Sequence, residues 1–468
     1  MSSMTYEEIQ NAMKARWVIK PKFEVFDFVG VAIDTRMIEP GQLFFAFVGE
    51  QVDGHEYLEH AVKAGAGMGV VTDASKVPDD LGMPVLVVDD GLDAITGLAS
   101  AWRQQLKAKV IAITGSNGKT TTCRLVHSVC TQNGSSFVSQ KSFNNALGVP
   151  ITVLNTPSDA DYLIAEIGTS SPGEIAARSA LVKPDIAVIT SIGRAHLEEL
   201  GDEQGVAWEK AEIVKSLPDG ALGVIVGGVG ELEYALKGED DRVKITRIGT
   251  EIPIEIVKLD DRHTDFTFAG DTFRVPTLGG HNASNAAMAI VVGRLLGLDD
   301  AIIQRGLTQV RFPEMRFDRI EIPTKTKPIV IYNDAYNANP DSMRAALETF
   351  DGLNLGGEKI AILGDMLELG DRSADEHLAL VDELEEYGSI DRFVLVGPLF
   401  LDAASPTDRV MGIGSDDAQA LTQISRLVLP GSNVLLKGSR GMALERLVYI
   451  LISSRASRAT AGKVHPQI

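Results

Sequence analysis

Thr114-Gly115-Ser116-Asn117-Gly118-Lys119-Thr120-Thr121 decides the fold. It follows the apolar run Lys109 to Thr114 and opens a helical pattern that continues to Asn133-Gly134. A buried-type strand, a glycine turn and a helix, in that order, gather backbone N–H groups and a helix N-terminus around one point, an arrangement that cradles phosphate. The spacing is the short GxxGK[ST] form, since the position where the longer phosphate loop has its first glycine is Ile113. Lys119 is expected along the β/γ-phosphates and the Thr120 hydroxyl on Mg²⁺. A glycine turn with no ligand is the plainer alternative, and Gly-Lys-Thr directly after a strand argues against it.

Downstream, strands at Tyr162 to Ile167, Ile186 to Thr190 and Gly223 to Val226 alternate with helices. That alternation predicts a parallel sheet covered on both faces. From Arg242 to Thr277 the period becomes two, with a hairpin of Thr264 to Ala269 and Thr272 to Val275, which predicts an antiparallel edge. A helical stretch follows from Ala283 to Leu298. Upstream lies a small α/β unit with strands at Val31 to Ile33, Leu43 to Phe47, Gly69 to Val71 and Val85 to Val88, and helices at Tyr57 to Ala64 and Gly91 to Lys107. After Asp318 a third α/β unit has strands at Ile329 to Tyr332, Lys359 to Leu363, Arg392 to Val396 and Asn433 to Lys437. The fold class is α/β in three domains, 1–108, 109–318 and 319–468. A chain of 468 residues agrees with that number at about 150 residues per domain.

Composition narrows the partners. Hydrophobic residues make up 44% and mean hydropathy is +0.06, as in a cored globular protein. Against 64 acidic residues stand 44 basic ones, a net charge of −20 without a basic face, so nucleic acid is not an expected partner. The two cysteines, Cys123 and Cys130, make neither a disulfide framework nor a four-ligand zinc site, and a reducing cytoplasm is the expected compartment. No leader segment is read in the first residues, and no run approaches ~18 apolar residues, so no membrane span is expected.

Other chemistry-bearing residues are ambiguous alone. Glu166 ends a strand at the edge where the phosphates would lie and offers Mg²⁺ a hard oxygen, though a glutamate there is commonly just solvated. His196 follows the next strand, and Lys210 would ordinarily be a solvated helix lysine. Asn282 and Asn285 open a helix, where they would cap it or read an adenine edge.

Together these stretches resemble the Mur ligases, ATP-dependent amide-forming enzymes of bacterial peptidoglycan synthesis. The loop at 114–121, Ala165-Glu166-Ile167-Gly168, Ser191-Ile192-Gly193-Arg194-Ala195-His196, Glu209-Lys210-Ala211-Glu212 and Gly280-His281-Asn282-Ala283-Ser284-Asn285 stand in that family's order. Three later stretches are similar to the member that joins D-alanyl-D-alanine to UDP-N-acetylmuramoyl-tripeptide: Asn333 to Ser342, Leu363 to Gly370 and Lys437 to Gly441. The Asp-Asn-Pro-Arg pattern of the member adding the third peptide residue is absent. The competing readings are a sister ligase with another carboxylate substrate and a non-catalytic nucleotide-gated binding protein.

The resemblance implies ATP and two Mg²⁺ ions as cofactors. Gly115, Ser116, Asn117, Gly118, Lys119, Thr120 and Thr121 would hold the phosphates, Asn282 and Asn285 the adenine side, Arg316 the γ-phosphate and Asp334 the ribose. Thr120 and Glu166 would take the first metal, His196 and a carbamoylated Lys210 the second. Lys119, His196, Lys210 and Arg316 would be the catalytic set. Thr35 and Arg36 would meet the uridine diphosphate, and Asn144, Asn145, Tyr336 and Asn337 the rest of the substrates. Glu209 and Glu212, flanking Lys210, are expected to favour its ammonium and oppose the carbamate. Thr169-Ser170-Ser171 replaces the subfamily's more common Asn-His pair, and the segment before Arg316 lacks the usual glycine. A cytoplasmic monomer is expected.

Overall fold

The computed structural model describes residues 4–21, 27–139, 142–404 and 406–456. Three mixed or parallel sheets follow one another along the chain. The first holds β1 (Arg16–Ile19), β2 (Val31–Ala32), β3 (Leu43–Phe45), β4 (Met68–Val71) and β5 (Val85–Val87) in the order β1-β5-β4-β3-β2, with only β1 antiparallel. The second holds β6 (Lys109–Thr114), β7 (Ser136–Val138), β8 (Tyr162–Glu166), β9 (Ile186–Ile189), β10 (Leu222–Val226) and β11 (Lys244–Ile248), all parallel, in the order β11-β10-β9-β6-β8-β7. Chain order reverses on the two sides of β6, and ligands of open α/β sheets lie beyond the strand ends at such a reversal. The phosphate loop leaves β6 at that point.

Alternating residues of these strands feed two cores, as a sheet covered on both faces requires. Val110, Ala112, Leu163, Ala165, Ala187 and Ile189 join a cluster that continues through Trp102 and Phe28 into the N-terminal unit. Ile111, Ile113, Ile164 and Val188 face the opposite way, against the helices Lys119–Cys130 and Gly280–Leu295. Asn155 reinforces the first junction by donating to Val31 O at 3.1 Å and accepting from Val31 N at 2.7 Å.

The expected antiparallel edge takes another form. β12 (Ile254–Leu259), β13 (Thr264–Phe268) and β14 (Asp271–Val275) make a separate antiparallel sheet. The edge position is already occupied, because β11 returns through the helix Gly230–Ala235 and pairs parallel with β10. The small sheet turns Phe266, Phe268, Phe273 and Val275 into the second core and so packs on the helix beside the phosphate loop. The last sheet comprises β15 (Asp318–Ile322), β16 (Ile329–Asp334), β17 (Lys359–Gly364), β18 (Arg392–Val396), β19 (Val410–Ile413) and β20 (Asn433–Lys437), ordered β15-β16-β20-β17-β18-β19 with β15 alone antiparallel. Asn339 caps the following helix Pro340–Gly352 in a reciprocal capping box with Ser342, with proline in the first turn.

Gly306 lies where the helix Asp300–Gln309 crosses Lys119–Cys130, and a Cβ there would stand 2.5 Å from Val129 Cα. Backbone cannot yield as a flexible side-chain tip can. Gly306→Ala is therefore expected to destabilise by about 1–3 kcal/mol and, by shifting the helix that carries the loop, to weaken nucleotide binding. Denaturant unfolding and a nucleotide titration check this; wild-type values in both would contradict the close crossing.

Candidate active site

A cleft of about 880 Å³ opens beyond the ends of β6 and β8 and is bordered by both the central and the C-terminal sheets. Its floor is the loop Gly115–Gly118. Gly115 has φ +151° and a Cβ there would strike the Thr190 hydroxyl; Gly118 has φ +80° and a Cβ would strike the Asn285 amide. Only glycine meets both demands. Ser116 and Asn117 are drawn toward the segment after β9: Ser116 Oγ donates to Gly193 O at 3.0 Å, and Asn117 N donates to Ser191 Oγ at 2.8 Å.

Thr120, in the first turn after the loop, is the hub. Its hydroxyl is 2.9 Å from Glu166 Oε2 and 3.1 Å from Ser142 Oγ, and it accepts from Arg316 Nη2 at 2.9 Å. Asn144 Nδ2 donates to the other carboxylate oxygen, Glu166 Oε1, at 2.7 Å. Asn144 therefore touches the Glu166 carboxylate as well as lining the cleft. Arg316 stacks on Tyr336, its guanidinium carbon 4.2 Å from the ring centroid, while its buried Nε has no hydrogen-bond partner. Lys119 Nζ folds back onto Gly115 O at 2.6 Å and Ser116 O at 3.2 Å; burial lowers its pKa, with the Glu166 charge opposing.

His196 also borders the cleft, in the left-handed region at φ 57°. Burial, then the Lys119 and Lys210 charges, push its pKa down to about 4, leaving a neutral imidazole able to bind metal. Lys210 lies behind the cleft wall, 2% exposed, with its pKa pushed down to about 7 by burial and the Lys119 charge. The glutamates expected to hold it as an ammonium are largely engaged elsewhere. Glu209 accepts from Gly173 N at 2.7 Å and Ile175 N at 2.8 Å, capping the helix Glu174–Val182, so its opposing effect is the smallest of the three. Glu212 pairs with Lys215 at 3.0 Å. Burial outweighs them.

Asn282 and Asn285 line the cleft but also bind one another and the scaffold. Asn282 Nδ2 donates to Thr277 Oγ1 at 3.0 Å and Leu278 O at 2.8 Å; Asn285 Oδ1 accepts from Thr122 Oγ1 at 3.2 Å. Asn145 borders the cleft and caps Gly148 N at 2.8 Å. Asp334 pairs with the buried Lys437 at 2.6 Å, and Lys437 also donates to Asn337 O at 3.1 Å. Thr121, Tyr336 and Asn337 line the same space. Thr35 and Arg36 stand outside it: Arg36 grips Asp34 through Nε and Nη2, at 2.9 and 2.6 Å. From the N-terminal unit, Phe47 and Leu92 reach the cleft instead.

Asn339, Arg194, Asp341 and Glu376, which have no assigned role in the sequence reading, join the two halves together with Asn117 of the phosphate loop. Asn117 and Asn339 exchange amide hydrogen bonds at 3.3 and 2.8 Å. Arg194 donates from its backbone to Asp341 at 2.8 Å, and from its side chain to Glu203 at 2.9 Å and to Glu376 at 3.0 Å. Asn339 and Asp341 lie in a stretch whose order drew attention, yet their partners are ~150 to 220 positions away, which spacing alone does not reveal.

Among the described residues no three His, Cys, Asp or Glu side chains form a metal cage. The set at hand is one hydroxyl, one carboxylate and one imidazole. Mg²⁺ commonly binds through one or two carboxylates completed by substrate phosphates and water, so this donor set fits it beside a nucleotide.

Comparison with known proteins accords with this geometry. The family models described as "Mur ligase family, catalytic domain", "Mur ligase middle domain" and "Mur ligase, glutamate ligase domain" match residues 27–103, 113–293 and 315–440. The UDP-N-acetylmuramoyl-tripeptide–D-alanyl-D-alanine ligase of Bacillus subtilis is 35% identical, over 98% of this chain and 100% of its own; that of Escherichia coli is 31% identical, over 90% and 93%. Among solved structures, MurF from Acinetobacter baumannii superposes with a TM-score of 0.84 at 29% identity, covering 97% of this chain and 99% of its own. MurF from Thermotoga maritima, in complex with ADP, gives 0.76 at 25%, covering 92% and 99%. The chain belongs to the Mur ligase family.

Proposed function

We propose that this chain is an ATP-dependent ligase joining D-alanyl-D-alanine to UDP-N-acetylmuramoyl-tripeptide in peptidoglycan precursor synthesis. The observation that carries this is the convergence on one cleft of the phosphate loop, Arg316 and the ends of β16 and β20, in a chain matched end to end by relatives of that name. The working units are 1–108 for the UDP end, 109–318 for ATP and 319–468 for the dipeptide, in the cytoplasm. Cys123 and Cys130, both buried and unpaired, suit that compartment.

A carboxylate does not acylate an amine unaided, because its oxygen is a poor leaving group. Attack of the tripeptide carboxylate on the γ-phosphorus forms an O–P bond and breaks the bond to the β-phosphate bridge, releasing ADP. The dipeptide nitrogen then bonds to the acyl carbon, the C–O bond to phosphate breaks, and protons pass to solvent. Negative charge concentrates at the γ-phosphate and then at the acyl oxygen. Lys119 and Arg316 are the cations placed to meet it. Lys119 exchanges its loop carbonyls for phosphate oxygens, and Arg316, supported by the Tyr336 ring, has an unsatisfied Nε to direct. Thr120 and Glu166 would hold one Mg²⁺, and His196 with a carbamoylated Lys210 a second; the ions would supply charge neutralisation at the phosphates. Asn282 and Asn285 border the adenine side and Asp334 the ribose, while Asn144, Asn145, Tyr336 and Asn337 border the acyl and dipeptide parts. Thr35 and Arg36 take the uridine diphosphate, Arg36 trading Asp34 for phosphate.

Lys210 fits carbamoylation. With burial and the Lys119 charge lowering its pKa to about 7, its amine is far more often neutral at neutral pH than that of an ordinary lysine. The neutral nitrogen bonds to CO₂ and releases one proton, becoming an anion able to ligate Mg²⁺.

Two outcomes follow. Phosphate release should require ATP, UDP-linked tripeptide and D-alanyl-D-alanine together; robust ADP formation from ATP alone, unchanged by the other two, would contradict ligase function. At fixed dissolved ¹³CO₂, a protein carbamate ¹³C signal should grow as pH rises through about 7, since the lowered pKa frees the amine above that value, and vanish in Lys210→Ala. An identical signal in that variant would remove Lys210 from the assignment.

A further inference from the structure

Between β17 and the short turn Gly370–Arg372 the chain makes a five-residue loop, Asp365-Met366-Leu367-Glu368-Leu369. Four of its residues are fixed. Asp365 accepts from Leu399 N at 3.1 Å and Phe400 N at 2.9 Å. Met366 N donates to the buried His377 Nε2 at 3.0 Å, and Leu367 N to Ser439 Oγ at 2.8 Å. The Met366 and Leu369 side chains are buried in the C-terminal core. Glu368 differs from its neighbours: its backbone is left-handed at φ 63°, and its side chain, 71% exposed, borders the cleft.

A left-handed glutamate is strained, and such strain persists where the surroundings hold it and clusters at functional sites. Glu368 faces a second left-handed residue, His196, across the junction of the two units. Its carboxylate is 3.8 Å from His196 Nδ1, beyond hydrogen-bonding distance, and among the described residues it has no other charged partner within 4.0 Å. A loop held at its other four residues thus presents a carboxylate without a hydrogen bond to the cleft that the cations Lys119 and Arg316 also line.

Resting on the ligase reading above, the charges divide the cleft between the two reactants. The acyl half arrives as a carboxylate and becomes more anionic on phosphorylation, which suits Lys119 and Arg316. The acceptor arrives as an ammonium, for which those cations are repulsive. We propose that Glu368 receives the cationic amine of the incoming dipeptide and aims its nitrogen at the acyl carbon beside His196. Once the nitrogen gives a proton to solvent through the open side of the cleft, the carboxylate still accepts an N–H bond and holds the direction of attack.

The test is Glu368→Gln, which keeps shape and removes charge. Being exposed and outside any hydrogen bond, the side chain should be replaceable without loss of folding, and an unchanged thermal midpoint checks that. The KM for D-alanyl-D-alanine is expected to rise about 10- to 100-fold, with the KM values for ATP and UDP-linked tripeptide unchanged. Inhibition by D-lactoyl-D-alanine, which carries a neutral hydroxyl in place of the amine, should be equal in both proteins. Mn²⁺ affinity, read by electron paramagnetic resonance, should also be equal. An unchanged dipeptide KM in a protein otherwise active overturns the assignment. So does equal weakening toward the dipeptide and its hydroxyl analogue, which would indicate shape, and so does lost Mn²⁺ affinity, which would make Glu368 a metal ligand. A wild-type protein that releases no phosphate with this substrate pair removes the ligase reading, and Glu368's role with it.

Discussion

A carboxylate held almost out of water at the end of a central strand organises this molecule. Glu166 is 7% exposed, and burying an ionised carboxylate is costly unless its oxygens are bonded and cations stand near. Each oxygen has one donor, Thr120 for one and Asn144 for the other, while Arg316 reaches the same Thr120 hydroxyl from a segment almost two hundred residues away. The arrangement ties the phosphate-loop helix, the following loop and the entry to the last sheet to one point. Through Arg316 it also brings the start of the C-terminal unit against the loop.

Beside the cleft that closing is polar, while Leu278 and Leu259 of the central unit pack on the C-terminal core behind it. Asn117 with Asn339, and Arg194 with Asp341 and Glu376, are contacts that water can replace at modest cost, unlike the apolar cluster joining the N-terminal and central units through Phe28 and Trp102. The junction between the N-terminal and central units is thus the more apolar of the two. An enzyme that must exclude water from an acyl phosphate and then release a large product has use for that difference.

Much of this was legible in the sequence, and for identifiable reasons. The loop at 114–121 could be placed because glycines, lysine and threonine at fixed offsets after a buried strand have few other uses, and β6, β8, β9 and β10 of the central sheet and β16, β17, β18 and β20 of the last could be read because parallel, doubly covered strands are continuous apolar runs. Glu166, His196 and Arg316 all border the one cleft. The helix Tyr6–Met13, β1 and β7 escaped notice because they are short and only half buried. The antiparallel strands were seen, but whether they extend the sheet or stand apart depends on β11 filling its edge, a matter of tertiary order. The sequence reads Glu209 as a charge favouring the Lys210 ammonium, and that direction holds; what adjacency does not reveal is the burial, with the Lys119 charge, that outweighs it.

The most direct test is a crystal structure with Mg²⁺, a non-hydrolysable ATP analogue and the UDP-linked tripeptide bound together. The account predicts the γ-phosphate between Lys119 and Arg316, a metal on Thr120 and Glu166, and the tripeptide carboxylate in line with the γ-phosphorus in the same cleft. A nucleotide bound away from the loop, or a carboxylate out of line with the γ-phosphate, would contradict it.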